Sequence, residues 1–312
     1  MADGAHYLGL DIGGTFLKAA RVDASGRVLE RLREPVAGGD AAALLAQLEA
    51  AARALGGAAS GCGVGLPGFV DRRTGIVHGV PNLRVLEGVA LARELSGRLG
   101  VPTAADNDAN AAALAEAWQG AGQGAESVLM LTLGTGVGSG LVLGGRVYTG
   151  RSGYAGEFGH LQVKPDGVPC GCGSWGCLET EVGVAGWVRR AEAARERAGG
   201  RTALAGVALD PERIVDAARA GDPVALAVVD ESAALLSVAI AFALDLLNVE
   251  KVVIGGGVAA AGEFLLGRIR DEVRRRTFAQ IFADAEIVPA ALGGDAGVVG
   301  AARLAMQAAG AD

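Results

Sequence analysis

Apolar positions along this chain fall into short runs that stop at glycine clusters. Three runs do so: Leu8 to Ile12 before Gly13-Gly14-Thr15, Leu129 to Leu133 before Gly134-Thr135-Gly136, and Val252 to Ile254 before Gly255-Gly256-Gly257. A strand followed by a glycine turn is how a backbone approaches a phosphate. After the first cluster, Lys18 to Asp23 leads through a turn at Ser25-Gly26 into Val28-Leu29, the pattern of an antiparallel hairpin. Helical spacing covers Ala41 to Leu55, Val89 to Leu99, Ala109 to Trp118, Pro211 to Ala220 and Phe264 to Arg276. Further strands are expected near Gly61 to Leu66, Thr103 to Ala105 and Gly140 to Leu143. The charge-free run Ser232 to Leu244 stops at Asp245, short of the roughly 20 residues of a membrane span, and reads as a buried helix. Hairpins mixed with strand-helix units predict an α/β fold with mixed sheets. The polar stretch Ala105 to Asn110 is the candidate linker, and Gly199 to Gly206 a surface loop.

Composition narrows the class. With 312 residues, 51% hydrophobic and 20% charged, the chain can bury large cores and fill about two domains. A net charge of -7 argues against a nucleic-acid partner, which needs a basic stripe. The one dense basic run, Arg274-Arg275-Arg276, suits a solvated helix end. The opening residues Met1 to Asp11 carry no basic segment followed by an apolar one, so a cytoplasmic protein with reduced thiols is expected.

That expectation bears on the cysteines. Three of the four, Cys170, Cys172 and Cys177, follow His160 in an H-x9-C-x-C-x4-C arrangement. Four N and S donors fill the tetrahedron of a structural zinc ion and leave no open position for catalysis at the metal. Disulfide pairing is the weaker reading, and Cys62, alone in an apolar run, is expected in the core.

Two matches to G-x-G-x-x-G, at Gly63 to Gly68 and Gly171 to Gly176, do not open helices, so a dinucleotide fold is not indicated. A Walker A loop is excluded, because none of Lys18, Lys164 and Lys251 follows a glycine. Asp11-Ile12-Gly13-Gly14-Thr15-x-x-Lys18 offers another phosphate loop: backbone N–H groups, a hydroxyl, a cation, and an acid able to reach magnesium-bound water. Gly134 to Gly138 forms a second such turn. At Asn107-Asp108 a strand hands over to a helix; Asp108 or Asn110 could cap that helix, or Asp108 could be a general base.

Together Asp11 to Thr15, Asn107-Asp108, Gly134 to Gly140, Glu157-x-Gly159-His160 and Cys170-x-Cys172-Gly173-x-x-Gly176-Cys177-x-Glu179 resemble the ROK family of sugar kinases and sugar-responsive repressors, over nearly the whole chain and in the family's order. The resemblance implies an actin-like ATPase (RNase H-like) fold of two α/β domains with a cleft between them. Residues 1–107 with 293–312 would form the smaller domain, and 108–292 the larger one carrying the zinc loop.

It further implies ATP and Mg2+ at Asp11, Gly13, Gly14, Thr15, Lys18, Gly134, Thr135 and Gly136, with Gly255, Gly256 and Gly257 near the adenosine. A hexose would be held by Gly68, Asn107, Asp108, Glu157, His160 and Glu179, with Asp108 as base and glucose the expected substrate, and a homodimer is implied. Where the family usually carries Ser, this chain has Gly183, and Glu181 is an unusual charge beside the pocket. Alternatives are an N-acetylhexosamine, mannose or fructose kinase, a polyphosphate-dependent one, or a sugar-responsive regulator; the last is disfavoured because the first strand starts near Tyr7.

Overall fold

The computed structural model describes residues 4–56, 59–71, 73–80 and 82–311. The chain divides into two compact units, the first comprising 1–124, 140–156 and 291–312, the second 125–139 and 157–290. The sequence expectation ended the first domain at 107. The compact unit runs on to 124, because the helix that begins at Asp108 packs against the C-terminal helix.

In the first unit β1 (His6–Ile12), β2 (Phe16–Asp23) and β3 (Val28–Pro35) form the expected antiparallel meander. After α1 (Ala41–Ala54) comes β4 (Cys62–Leu66), parallel to β1. A small hairpin, β5 (Phe69–Val70) and β6 (Val77–His78), then leads through α2 (Leu91–Leu99) to β7 (Thr103–Asn107), parallel to β4. The sheet order is β3-β2-β1-β4-β7. Directly after β7 starts α3 (Asp108–Gln119), so the candidate linker is a strand-to-helix junction.

Alternation in β1 sorts its two faces. Leu8, Leu10 and Ile12 join the buried cluster built with Leu44 and Leu48 of α1 and Leu91 and Leu95 of α2. Tyr7, Gly9 and Asp11 face the other way, where Tyr7 packs with the helix near the C-terminus. Gly9 and Gly63 admit that helix closely: a Cβ on either would stand 1.9 Å from the Val298 carbonyl oxygen or 1.7 Å from that of Ala301. The glycines at 63 and 9 therefore serve helix-sheet packing.

In the second unit β8 (Ser127–Leu133) and β9 (Val137–Leu143) flank the Gly134–Gly136 turn, and β9 continues into the first unit to pair with β10 (Arg146–Val147). The strand expected from Gly140 thus begins three residues earlier, immediately after Gly136. The helices are α4 (Leu178–Val182), α5 (Val184–Arg197), α6 (Pro211–Arg219) and α7 (Pro223–Leu247). Then follow β11 (Lys251–Gly255), α8 (Glu263–Arg274), α9 (Ala279–Asp284) and β12 (Glu286–Pro289), with β8, β11 and β12 parallel neighbours. The chain ends with α10 (Ala296–Ala308) in the first unit.

The apolar run Ser232–Leu244 proves to be the middle of α7, whose 25 residues are long and apolar enough to cross a membrane. Its apolar face instead packs on α6 and α8, with Val229, Leu236, Ile240 and Leu244 fully buried. Gly199 to Gly206 is irregular, as expected.

Candidate active site

The carboxyl ends of β1, β4 and β7 carry the first half of the predicted chemistry, on the sheet edge where open α/β folds place ligands. One register row across the sheet reads Lys18, Asp11, Gly65, Asp106. Lys18 Nζ lies 3.8 Å from Asp11 Oδ2 and also reaches the Gly294 carbonyl at 3.5 Å. Gly65 leaves the row open: a Cβ there would sit 3.6 Å from Asp108 Cα and 3.9 Å from Asp11 Oδ1. Burial raises the Asp11 carboxyl above its ordinary range, Lys18 pulls it back, and the Asp108 charge adds to the rise. Asp108 is likewise raised by burial, opposed by the N–H of Ala109, which it accepts at 2.8 Å.

The helix is capped by neither Asp108 nor Asn110. Asn107 does it, accepting on Oδ1 from the N–H groups of Ala109 at 2.9 Å and Asn110 at 3.3 Å. Its Nδ2 donates to the Gly68 carbonyl at 3.0 Å, leaving one amide hydrogen without a partner among the described residues. Asn110 is buried and donates to Asp106 at 2.9 Å. Asp108 is thereby released from capping, and its carboxylate keeps free acceptor positions. In the glycine turn, Gly13 donates its N–H to the Phe16 carbonyl at 2.9 Å, and among the described residues the N–H groups of Gly14 and Thr15 have no backbone partner and are open to an anion.

The second unit brings the other predicted residues together. His160 and Cys170, Cys172 and Cys177 offer donor atoms that all lie within 4.8 Å of one another. His160 Nδ1 is 3.6 Å from Cys170 Sγ, and the Cys172 and Cys177 sulfurs are 3.7 Å apart. Bonds of about 2.0–2.1 Å to nitrogen and 2.3 Å to sulfur give a tetrahedron with edges of roughly 3.5–3.8 Å, so the four residues fit a zinc ion. No disulfide links them, and Cys62 is a fully buried thiol pushed up to about 12 by desolvation. The loop closes tightly where Gly176, at φ +62°, passes the Lys164 carbonyl; a Cβ there would lie 1.7 Å from that oxygen.

Glu179, on α4, joins this cluster to the second glycine turn. Its Oε1 is 3.1 Å from Cys170 Sγ and 3.4 Å from His160 Nδ1, and its Oε2 would be 2.7 Å from a Cβ on Gly136. Glu157 Oε2 stands 3.9 Å from His160 Nε2, on the ring's other side. Gly183 is where it is for a related reason: a Cβ would meet the Thr135 carbonyl oxygen at 2.5 Å and that of Glu179 at 2.6 Å. Its neighbour Val184 donates to the Gly134 carbonyl at 3.0 Å, tying α5 to the turn.

Glu181, unusual in the sequence, is buried and paired. Arg189 Nη2 lies 2.9 Å from its carboxylate, and Arg190 Nη1 4.0 Å. Both arginines also cap the open carbonyls of α4, Arg189 at Thr180 and Arg190 at Glu181. Burial pulls the Arg190 guanidinium down, while Glu231 and Glu181 hold it charged. Glu231 passes the chain of charge on to Lys164 of the metal loop at 3.1 Å.

Gly257 and Val258, after β11, line a cavity of about 220 Å³ closed by Glu212, Val215, Asp216 and Arg219. All four lie on α6, a helix the sequence placed without giving it a role.

The profile of the ROK family matches residues 7–308. The chain belongs to the ROK family. A glucokinase of Halalkalibacterium halodurans is 39% identical, over 96% of this chain and 95% of that protein. Among solved structures, a ROK family glucokinase from Streptomyces griseus in complex with glucose and AMPPNP is 36% identical, with a TM-score of 0.79 over 97% of this chain and 100% of that one. A ROK hexokinase from Thermus thermophilus is 34% identical, with a TM-score of 0.85 over 97% and 98%. The family's actin-like ATPase fold, with two α/β domains, is the fold of this chain.

Proposed function

We propose that this ROK protein is a glucokinase that transfers the γ-phosphoryl group of ATP to the 6-hydroxyl of glucose. The observation that carries the reading is the release of Asp108 from helix capping by Asn107. A carboxylate that accepts the Ala109 N–H on Oδ1 and keeps further acceptor positions, beside Asp11, is suited to act as a base.

Glucose binding is assigned to Gly68, Asn107, Asp108, Glu157, His160 and Glu179. Carboxylates accept from sugar hydroxyls, and the spare Asn107 hydrogen and the His160 Nε2 side complete a set suited to a neutral polyol. Asp108 takes the proton as the 6-oxygen attacks phosphorus in line and ADP leaves. The N–H groups of Gly14, Thr15, Thr135 and Gly136, with Lys18, stabilise charge on the phosphates. Gly255, Gly256 and Gly257 and the α6 cavity would take the adenosine.

Asp11 would hold Mg2+ through water, and that ion supplies neutralisation of the phosphate charge. His160, Cys170, Cys172 and Cys177 would hold structural zinc, which contributes folding free energy and fixes the His160 ring through Nδ1. A homodimer and a cytoplasmic location belong to the same proposal. Phe242 and Leu246, one turn apart on α7 and 60% and 79% exposed, form an apolar patch suited to a subunit contact.

The test is ADP release with MgATP against glucose, N-acetylglucosamine, N-acetylmannosamine, mannose and fructose, with a no-sugar blank and a polyphosphate arm. Glucose should be turned over most efficiently. Preference for an N-acetylated sugar would overturn the substrate, and turnover with polyphosphate but not ATP would overturn the donor.

A further inference from the structure

His78, Val80 and Asn82 lie beside the two subsites proposed for the first unit. His78 and Val80 back the sugar turn: a Cβ on Gly68, at φ +156°, would meet Val80 Cγ1 at 2.4 Å and the His78 carbonyl oxygen at 3.0 Å. Asn82 lies beside the phosphate turn. A Cβ on Gly14 would stand 3.4 Å from Asn82 Cβ and 3.8 Å from its Nδ2.

The described residues on either side of Asn82 are held by backbone bonds that do not use its side chain. Leu83 donates its N–H to Val80 at 3.1 Å and Leu86 to Leu83 at 2.9 Å, while Val77 exchanges backbone bonds with Val89 and Gly88 at 2.9 Å each. Leu83 and Leu86 lie in the core. Asn82 itself is exposed, and its amide makes no hydrogen bond among the described residues. Asparagine in a loop commonly bonds its own backbone. Here two amide hydrogens are left over, next to a turn whose Gly14 and Thr15 N–H groups are also open.

We propose that Asn82 is a further catalytic residue, donating an Nδ2 hydrogen to an oxygen of the phosphoryl group in transfer. The inference rests on the glucokinase reading. In that step the bond from phosphorus to the sugar 6-oxygen forms, the bond to the ADP oxygen breaks, and the proton goes to Asp108. Asn82 exchanges no atom and stabilises charge that moves as the group passes between the Gly14 turn and the sugar. A neutral amide adds this donor without another full charge beside Lys18 and Asp11. An interaction made chiefly in the transition state appears in kcat and not in substrate affinity.

The experiment compares wild type with Asn82→Ala and Asn82→Asp in steady-state kinetics. It also measures the affinity of each for AMPPNP and for ADP with aluminium fluoride, in the presence of glucose. The expected result for Asn82→Ala is a kcat lowered roughly 10- to 100-fold, with KM for glucose within about threefold and a larger loss of affinity for the aluminium fluoride complex than for AMPPNP. Asn82→Asp should be slower still, because a carboxylate repels the phosphoryl oxygens. A kcat and aluminium fluoride affinity within about twofold of wild type would overturn the inference, as would a loss confined to KM for glucose. Wild-type protein that transfers nothing to glucose would instead bring down the underlying reading, an outcome separate from either variant's behaviour.

Discussion

Asn107 donates from Nδ2 to the Gly68 carbonyl at 3.0 Å while its Oδ1 caps α3, so one amide joins the turn at Gly68 to the start of the helix that carries Asp108. The neighbouring Asp108 carboxylate accepts the Ala109 N–H on Oδ1, keeps further acceptor positions and is raised by burial.

That rise has a consequence for pH. A base held above the ordinary aspartate value of 3.8 loses its charge earlier as pH falls, so kcat/KM for glucose should drop on the acid side at a pH above 3.8. Stability moves the opposite way. Between the unfolded and the raised folded values the native state binds more protons, so stability declines as pH rises through that window. Asp108→Asn removes this cost. Relative to wild type, its Tm should be equal or higher at pH 7, and the gain should vanish below about pH 4, where Asp108 is protonated in both states. A Tm several degrees lower at pH 7 would count against a desolvation cost on the Asp108 charge.

Removing Arg190 should be costly out of proportion to its exposure. Arg190→Met takes from the buried Glu181 one of its two arginines and removes the cap on its carbonyl, while Arg189 stays 2.9 Å from the carboxylate, so the expected loss is about 1–3 kcal/mol, with a raised KM for glucose through Glu179, two residues away on the same short helix. Adding Glu181→Gln should recover part of the loss, which urea unfolding of the single and double variants measures. Simple additivity of the two changes would show that the pair is not coupled.

Metal removal should unfold more than it inactivates. Cys177→Ser, or a chelator, should release about one zinc per chain and lower Tm by roughly 5–10 °C, because structural zinc contributes folding free energy directly. Elemental analysis alongside calorimetry checks this, and a variant retaining both zinc and stability would contradict the closed tetrahedral set.

Restoring the family's usual serine at Gly183 should harm this chain. Gly183→Ser places a Cβ against the carbonyls of Thr135 and Glu179, both backbone atoms that cannot swing aside. We expect a loss of about 1–3 kcal/mol and raised KM for glucose and ATP together, since Glu179 and the Gly134–Gly136 turn, to which sugar and phosphate binding are proposed, move with it. Unchanged kinetics would show that the turn yields freely.

Legibility in the sequence followed local pattern. The β2–β3 hairpin and α1 were visible because strand alternation, a Ser-Gly turn and helical spacing each act within a few residues. The zinc donors were visible because their spacing is itself the ligand geometry. By contrast α10 shows only a narrow polar stripe, Arg303 and Gln307, since it packs against both the sheet and α3, and its Gly297 and Gly300 answer to the Asp11 carboxylate and the Ala111 carbonyl. The full length of α7 was obscured by Asp230 and Glu231, charges that pair with Arg268, Arg190 and Lys164 far along the chain. Asn82 belongs to no motif, and only the fold brings it to Gly14.

The most direct test of the account is glucose 6-phosphate formation from MgATP and glucose by wild type and by Asp108→Asn, with glucose affinity measured on both. The account predicts product from wild type, a rate lower by about three orders of magnitude or more in the variant, and glucose affinity kept within severalfold. A variant that makes product at a comparable rate would contradict the role of Asp108, and a wild type that binds glucose but forms none would contradict the kinase itself.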